Sequence, residues 1–167
     1  MSSRLSRTII IGIGNPYRSD DGAGIAVVRQ LLGCVPVGVS IVEEYGEGTA
    51  LMEAWKDAAV AVLVDAVHSD APPGTIHRLD AGRQQIPSGF FHYSTHAFSV
   101  AEAIELARTL NQLPPHLIVY GIEGENFSAG TELSAVVEQA VPTLVSRVLE
   151  ELSNFKDEGS QRGAPLA

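Results

Sequence analysis

Apolar and polar positions follow two rhythms along this chain. Residues 8–11, 38–43, 59–67 and 117–122 are short runs rich in Val and Ile, and they read as strands. The run at 59–67, AVAVLVDAV, is almost continuously apolar, the pattern of a central strand buried on both faces. Residues 75–79 form a more polar strand, expected at the sheet edge. Between these runs, residues 22–32 place Ile25, Val28, Leu31 and Leu32 at helical spacing. Residues 97–110 do the same with Val100, Ile104, Leu106 and Leu110, and Ser94 is expected to cap that helix. Thr49 is expected to cap a short helix over 50–56. Ser134 opens a long one to about 155, with Pro142 set to kink or restart it. Strands alternating with helices predict an α/β fold: a three-layer αβα sandwich whose twisted, mostly parallel sheet carries helices on both faces.

Length and composition narrow this further. With 167 residues and 45% apolar content, the chain fits one domain, residues 1–155, followed by a tail at 156–167 expected to be disordered. No apolar run is long enough to span a bilayer, and the first residues lack a signal-peptide core, so no membrane partner and a cytoplasmic location are expected. Cys34 has no second cysteine to pair with and is expected to be an inert, buried or half-buried thiol. A net charge of −9, with 11 scattered Lys and Arg, excludes nucleic acid as a partner. A protein partner or a metal cation suits this balance, and a monomer is expected.

The chemistry concentrates after the first strand. Gly12, Gly14 and Asn15 make a tight loop, and Asp20 and Asp21 follow just before the first helix, at the strand's exit edge, where open α/β sheets bind ligands. Ser19 or Asp20 can cap that helix, and both acids can simply complement its dipole. The sharper reading makes Asp21 a ligand or catalytic acid. A dinucleotide site is a third reading, with Glu43 or Glu44 as the ribose acid, weakened because Tyr17 stands where a third glycine belongs. Asp65, late in a buried strand, requires either backbone amides or a cation. His96 is expected in the first turn of the helix capped by Ser94, where the dipole favours a neutral imidazole. His92 falls outside that helix, and His68, His77 and His116 read as surface or hydrogen-bonded residues. Asp21, Asp65 and His96 can meet at one sheet edge, two oxygens and one imidazole suited to a divalent transition metal. Phe90, Phe91 and Tyr93 offer aromatic docking candidates near His96, or pack inward.

The blocks Gly12-Ile-Gly14-Asn15-Pro-Tyr-Arg-Ser-Asp20-Asp21-Gly22-Ala-Gly24, Gly48-Thr49, Val64-Asp65-Ala66 and Ser94-Thr95-His96 resemble the maturation endopeptidases of nickel-iron hydrogenases. The resemblance runs from about residue 8 to about residue 150. It implies a protease domain that removes a C-terminal peptide from the nickel-loaded large-subunit precursor. It also implies a divalent ion held by Asp21, Asp65 and His96: nickel supplied by the precursor, with other divalent ions able to substitute. Many members carry Glu where this chain has Asp21, one methylene shorter. Asp20 is the candidate second-layer group or base beside Asp21. A nucleotide-binding regulatory module and a precursor-binding chaperone that does not cut are the competing readings.

Overall fold

The computed structural model describes residues 7–87, 89–91 and 98–161, with side chains to 158. Five strands and four α-helices follow in the order β1 (Thr8–Ile13), α1 (Ala23–Leu31), β2 (Val39–Glu44), α2 (Gly48–Ala54), β3 (Val60–Val67), β4 (Ile76–Asp80), α3 (Val100–Thr109), β5 (His116–Glu123) and α4 (Ala135–Gln161). A 3₁₀ turn, Ser19–Gly22, leads into α1. The sheet order is β2-β1-β3-β5-β4. All neighbours are parallel except β4, which runs antiparallel to β5 at the edge.

Strand alternation divides the core in two. Ile9, Ile11, Ile13, Leu63 and Val119 face α2 and α3 and pack with Leu51, Trp55, Val100 and Ile104. Ile10, Val62, Val64, Ile118 and Tyr120 face α1 and α4 and meet Val28, Leu31, Val141, Leu144 and Val148. Every residue of β3 is buried, as its continuous apolar run requires. From β1 the chain winds outward to β2 on one side; from β3 it winds to β5 and β4 on the other. The β1/β3 junction is therefore the topological switch point, where the C-terminal strand ends open a crevice.

Several local expectations change. Glu47, not Thr49, caps α2, accepting from the Thr49 and Ala50 amides, because its longer carboxylate reaches both free N–H groups. Helix α3 starts at Val100 rather than 97, since the amide of Ser99 donates to Glu102 at 3.2 Å in a capping-box arrangement. The first-turn position expected for His96 thus lies ahead of the helix. His96 itself, with His92, Tyr93 and Ser94, falls outside the described residues. Helix α4 is one helix through Pro142 and ends six residues beyond 155, so part of the expected tail is helical. Val137, Val141, Leu144 and Val148, all buried against the sheet, outweigh the roughly 3 kcal/mol cost of an internal proline. Cys34 is exposed, because α1 ends at Leu31 and the thiol sits on the turn beyond it. Phe90 and Phe91 pack inward, edge to face with one another. Among the described residues, no helix is long and apolar enough to cross a membrane.

Candidate active site

The loop after β1 is shaped by close backbone approach. Gly14 adopts a φ of +142°, and a Cβ there would lie 1.9 Å from the carbonyl oxygen of Asp21. Gly24, at the start of α1, is equally constrained: its Cβ would lie 2.2 Å from the Val64 carbonyl oxygen. These two contacts seat the 3₁₀ turn and the start of α1 directly over the switch point.

Asp21 is held by the loop it closes. The Asn15 amide donates to its Oδ2 at 3.0 Å, while the Asn15 side chain accepts from the Tyr17 amide at 2.9 Å. Burial raises the Asp21 carboxyl above its ordinary range, against the opposing pull of the Asn15 amide and the Arg18 guanidinium. Asp65, paired in register with Gly121, is 7% exposed near the end of β3. Burial, reinforced by the charge of Asp21, pushes its carboxyl well above the usual range, and a hydrogen bond from the Ala66 backbone offsets this only in part. Two carboxyls raised by burial, one raised further by the charge of the other, call for a shared proton or a cation. That donor chemistry fits a hard or borderline divalent ion. Among the described residues no set of three His, Cys, Asp or Glu side chains is grouped to hold a metal. Asp21 and Asp65 are two donors, and the third expected ligand lies outside those residues.

Asp20 has a different task from its neighbour. It is completely buried, and its carboxylate accepts from the amides of Glu125, Asn126 and Ser134 and from the Ser134 hydroxyl, at 2.7 to 2.9 Å. Its own amide donates to the Asn126 carbonyl, and Ser19 bonds to Gly130 and Ser128. With four bonds already made, Asp20 is a clamp between the Asp21 turn and the β5–α4 connection, not a base facing substrate. Neither Asp20 nor Ser19 caps α1. The Ser134 hydroxyl is likewise spent on Asp20 rather than on its own helix.

The dinucleotide reading loses one of its two candidate acids. Glu43 is engaged by Arg29 in a two-pronged ion pair at 2.7 and 3.1 Å. The sequence model of the hydrogenase maturation proteases, HycI, matches residues 29–151, well over half of the chain. The chain belongs to this family.

The hydrogenase 2 maturation protease of Escherichia coli K12 is 27% identical over 165 residues, covering 95% of this protease and 98% of that one. A hydrogenase expression/formation protein, HupD, from Thiocapsa roseopersicina is 27% identical over 150 residues, 88% of this chain and 68% of its own length. Among solved structures, a hydrogenase 2 maturation peptidase from a Thaumarchaeota archaeon is 26% identical with a TM-score of 0.65, covering 88% of this chain and 98% of that one. The E. coli maturating endopeptidase HybD shares the fold, with a TM-score of 0.76 at 20% identity over 89% of this chain and 93% of its own. This hydrolase of peptide bonds thus carries the family's mostly parallel α/β sheet.

Sequence reasoning missed a third buried carboxylate in the protease. Glu123, 1% exposed at the end of β5, accepts from the Ser69 amide at 3.0 Å, from the Ser69 hydroxyl, and pairs with His77 Nε2 at 2.9 Å. The argument applied to Asp65, a carboxylate ending a buried strand, applied here as well; its answer is backbone and side-chain donors rather than a partner acid.

Proposed function

We propose that this protease removes a C-terminal peptide from the large-subunit precursor of a nickel-iron hydrogenase, gripping nickel carried by the precursor through Asp21, Asp65 and His96. The observation that carries the reading is the placement of Asp21 and Asp65 by the strand ends at the switch point, where burial raises both carboxyls and the charge of Asp21 raises Asp65 further. Phe98, two residues beyond His96 in sequence, supports the third ligand: its carbonyl accepts from the Gly48 amide at 2.9 Å, at the start of α2 on the same strand-end side. A divalent ion so held supplies Lewis-acid polarisation of the scissile carbonyl. The chain's own part is positional. Asn15 fixes one oxygen of Asp21, Asp20 fixes the turn, and burial holds Asp65 in place at the end of β3, where a cation would relieve its charge. Because nickel arrives with the substrate, the ion acts as a check that the precursor has been loaded.

The test is a processing assay with precursor prepared with and without nickel, read by mass spectrometry. Release of a C-terminal peptide from the loaded precursor only is expected, and Asp21→Asn, Asp65→Asn and His96→Ala are expected to fold without processing. Full processing by any of these variants overturns the ligand assignment, and equal cleavage of nickel-free precursor overturns nickel's role.

A further inference from the structure

Beside the acidic site lies a groove that the mechanism does not use. It is a cavity of about 120 Å³ whose walls include Gly14, Pro16, Ile25, Arg29, Glu44 and Tyr45. Small-molecule sites usually span roughly 300–1,000 Å³, so this volume suits one side chain and not a cofactor. Tyr45, 68% exposed, lines the groove, and Tyr17, 69% exposed, follows Pro16 of its wall directly in the chain; both phenols act on the charge of Arg29. Tyr and Arg are the residues that most often dominate protein interfaces. The groove is continuous with the catalytic loop: Gly14 and Pro16 flank Asn15, whose amide holds Asp21, and the Gly14 amide donates to the Glu44 carbonyl at 3.0 Å. Glu44 makes no side-chain hydrogen bond or ion pair among the described residues, in a chain of net charge −9.

We infer that the Tyr17–Arg29–Tyr45 rim docks an extended segment of the precursor beside its cleavage point, seating one apolar side chain in the groove and a neighbouring basic residue against Glu44. This rests on the precursor being the substrate. Tyr17 and Tyr45 then act in recognition, and the acids in cleavage.

The experiment measures the affinity of the nickel-loaded precursor for the full-length protease alongside its processing kinetics. The Tyr17→Ala/Tyr45→Ala double variant is expected to weaken binding and raise KM at least about tenfold. Its kcat at saturating precursor should stay within twofold, and its thermal midpoint should be unchanged, since both rings are exposed. Glu44→Gln should weaken binding less and reduce its salt dependence. Leu106→Ala/Leu110→Ala, two exposed leucines on or just beyond α3, should change nothing. Unaltered affinity in the tyrosine variant, or equal loss in the leucine variant, overturns the docking site. If the wild-type protein binds the precursor but does not cut it, the docking inference is still decided by the affinities while the proposed cleavage fails. If it does not bind, both fall.

Discussion

The charge of Asp21 acts on Asp65 at the junction of β1 and β3, and both carboxyls are raised above their ordinary range, first of all by burial. Such a pair opposes folding whenever both groups are ionised. The folded carboxyls hold protons more tightly than unfolded ones, so this contribution to stability falls as pH climbs from the unfolded carboxylate range, about 4, through the raised folded value. Asp65→Asn removes one charge from the pair. It is expected to raise the thermal midpoint at pH 7 by about 2–4 °C, roughly 1 kcal/mol, while abolishing processing. Calorimetry at pH 5 and pH 7 checks the sign: the gain should be larger at pH 7. Added nickel should stabilise the wild-type protein and not the variant. A variant less stable than wild type at pH 7 would mean that the ionised pair is not strained.

The Asp20 clamp predicts a different outcome for the adjacent residue. Asp20→Ala leaves the part-buried amides of Glu125, Asn126 and Ser134 without their acceptor, at a cost of about 1–3 kcal/mol in all. Ser134→Ala removes only the hydroxyl bond, about 1 kcal/mol. Urea unfolding should rank Asp20→Ala far below Ser134→Ala. Of the two neighbouring acids, Asp20 should be the one whose loss unfolds the protein and Asp65's partner Asp21 the one whose loss only silences it.

What the sequence disclosed depended on whether the signal was local. The β3 run, the edge position of β4 and the α/β alternation were readable because burial of a strand on both faces leaves a direct imprint on composition. Asp65 was readable for the same reason, a charge where the pattern forbids one. Capping depends on more than residue type: Glu47 caps α2 in place of the expected Thr49 by its reach, and Ser99 caps α3 in place of the expected Ser94 because a glutamate lies three residues on. The partners of Asp20 were hidden, because they lie more than 100 residues away and are mostly backbone amides that carry no residue signature. Of the two readings open for Phe90, docking surface or inward packing, only the fold decides: its ring meets His77 edge-on and lies over Gly121, on strands brought beneath it by the sheet.

Helix α4 is fastened to the sheet by a polar network that sets the acid limit of stability. Arg78 on β4 grips Glu151 at 2.7 and 2.8 Å, and the Tyr120 hydroxyl donates to the same carboxylate at 2.6 Å. Arg78 holds the Glu151 carboxyl below its ordinary value, with help from Tyr120 against the effect of burial. A depressed carboxyl contributes stability above its unfolded pKa and loses it as pH falls through the lower folded value. Glu151→Gln should therefore flatten the acid limb of the stability curve below about pH 4.5. Tyr120→Phe should cost about 1 kcal/mol at neutral pH. Arg29 and Glu43 make a similar fork on the surface, both about half exposed, and Glu43→Gln should leave stability nearly unchanged. Chemical denaturation of the three variants across pH 3 to 7 separates the buried network from the exposed pair.

Two glycines near α1 separate close packing from backbone conformation. At Gly24 a Cβ would lie 2.2 Å from the Val64 carbonyl oxygen and 2.6 Å from that of Ile13, backbone atoms of the two strands that carry the site. Gly24→Ala must lift α1 from the sheet. The expected loss is about 1–3 kcal/mol of stability, with a larger fall in processing because the Asp21 turn shifts with the helix. At Gly33, just past the end of α1, a Cβ would meet nothing within 4 Å, but φ is +81°. Gly33→Ala should cost about 1–2 kcal/mol in backbone strain and leave kcat and KM for the precursor unchanged. Urea midpoints and processing rates for the two variants therefore diverge: similar stability losses, with activity lost only at Gly24. Equal loss of activity at both positions would mean that the helix seat over β1 and β3 is not what aligns Asp21 with Asp65.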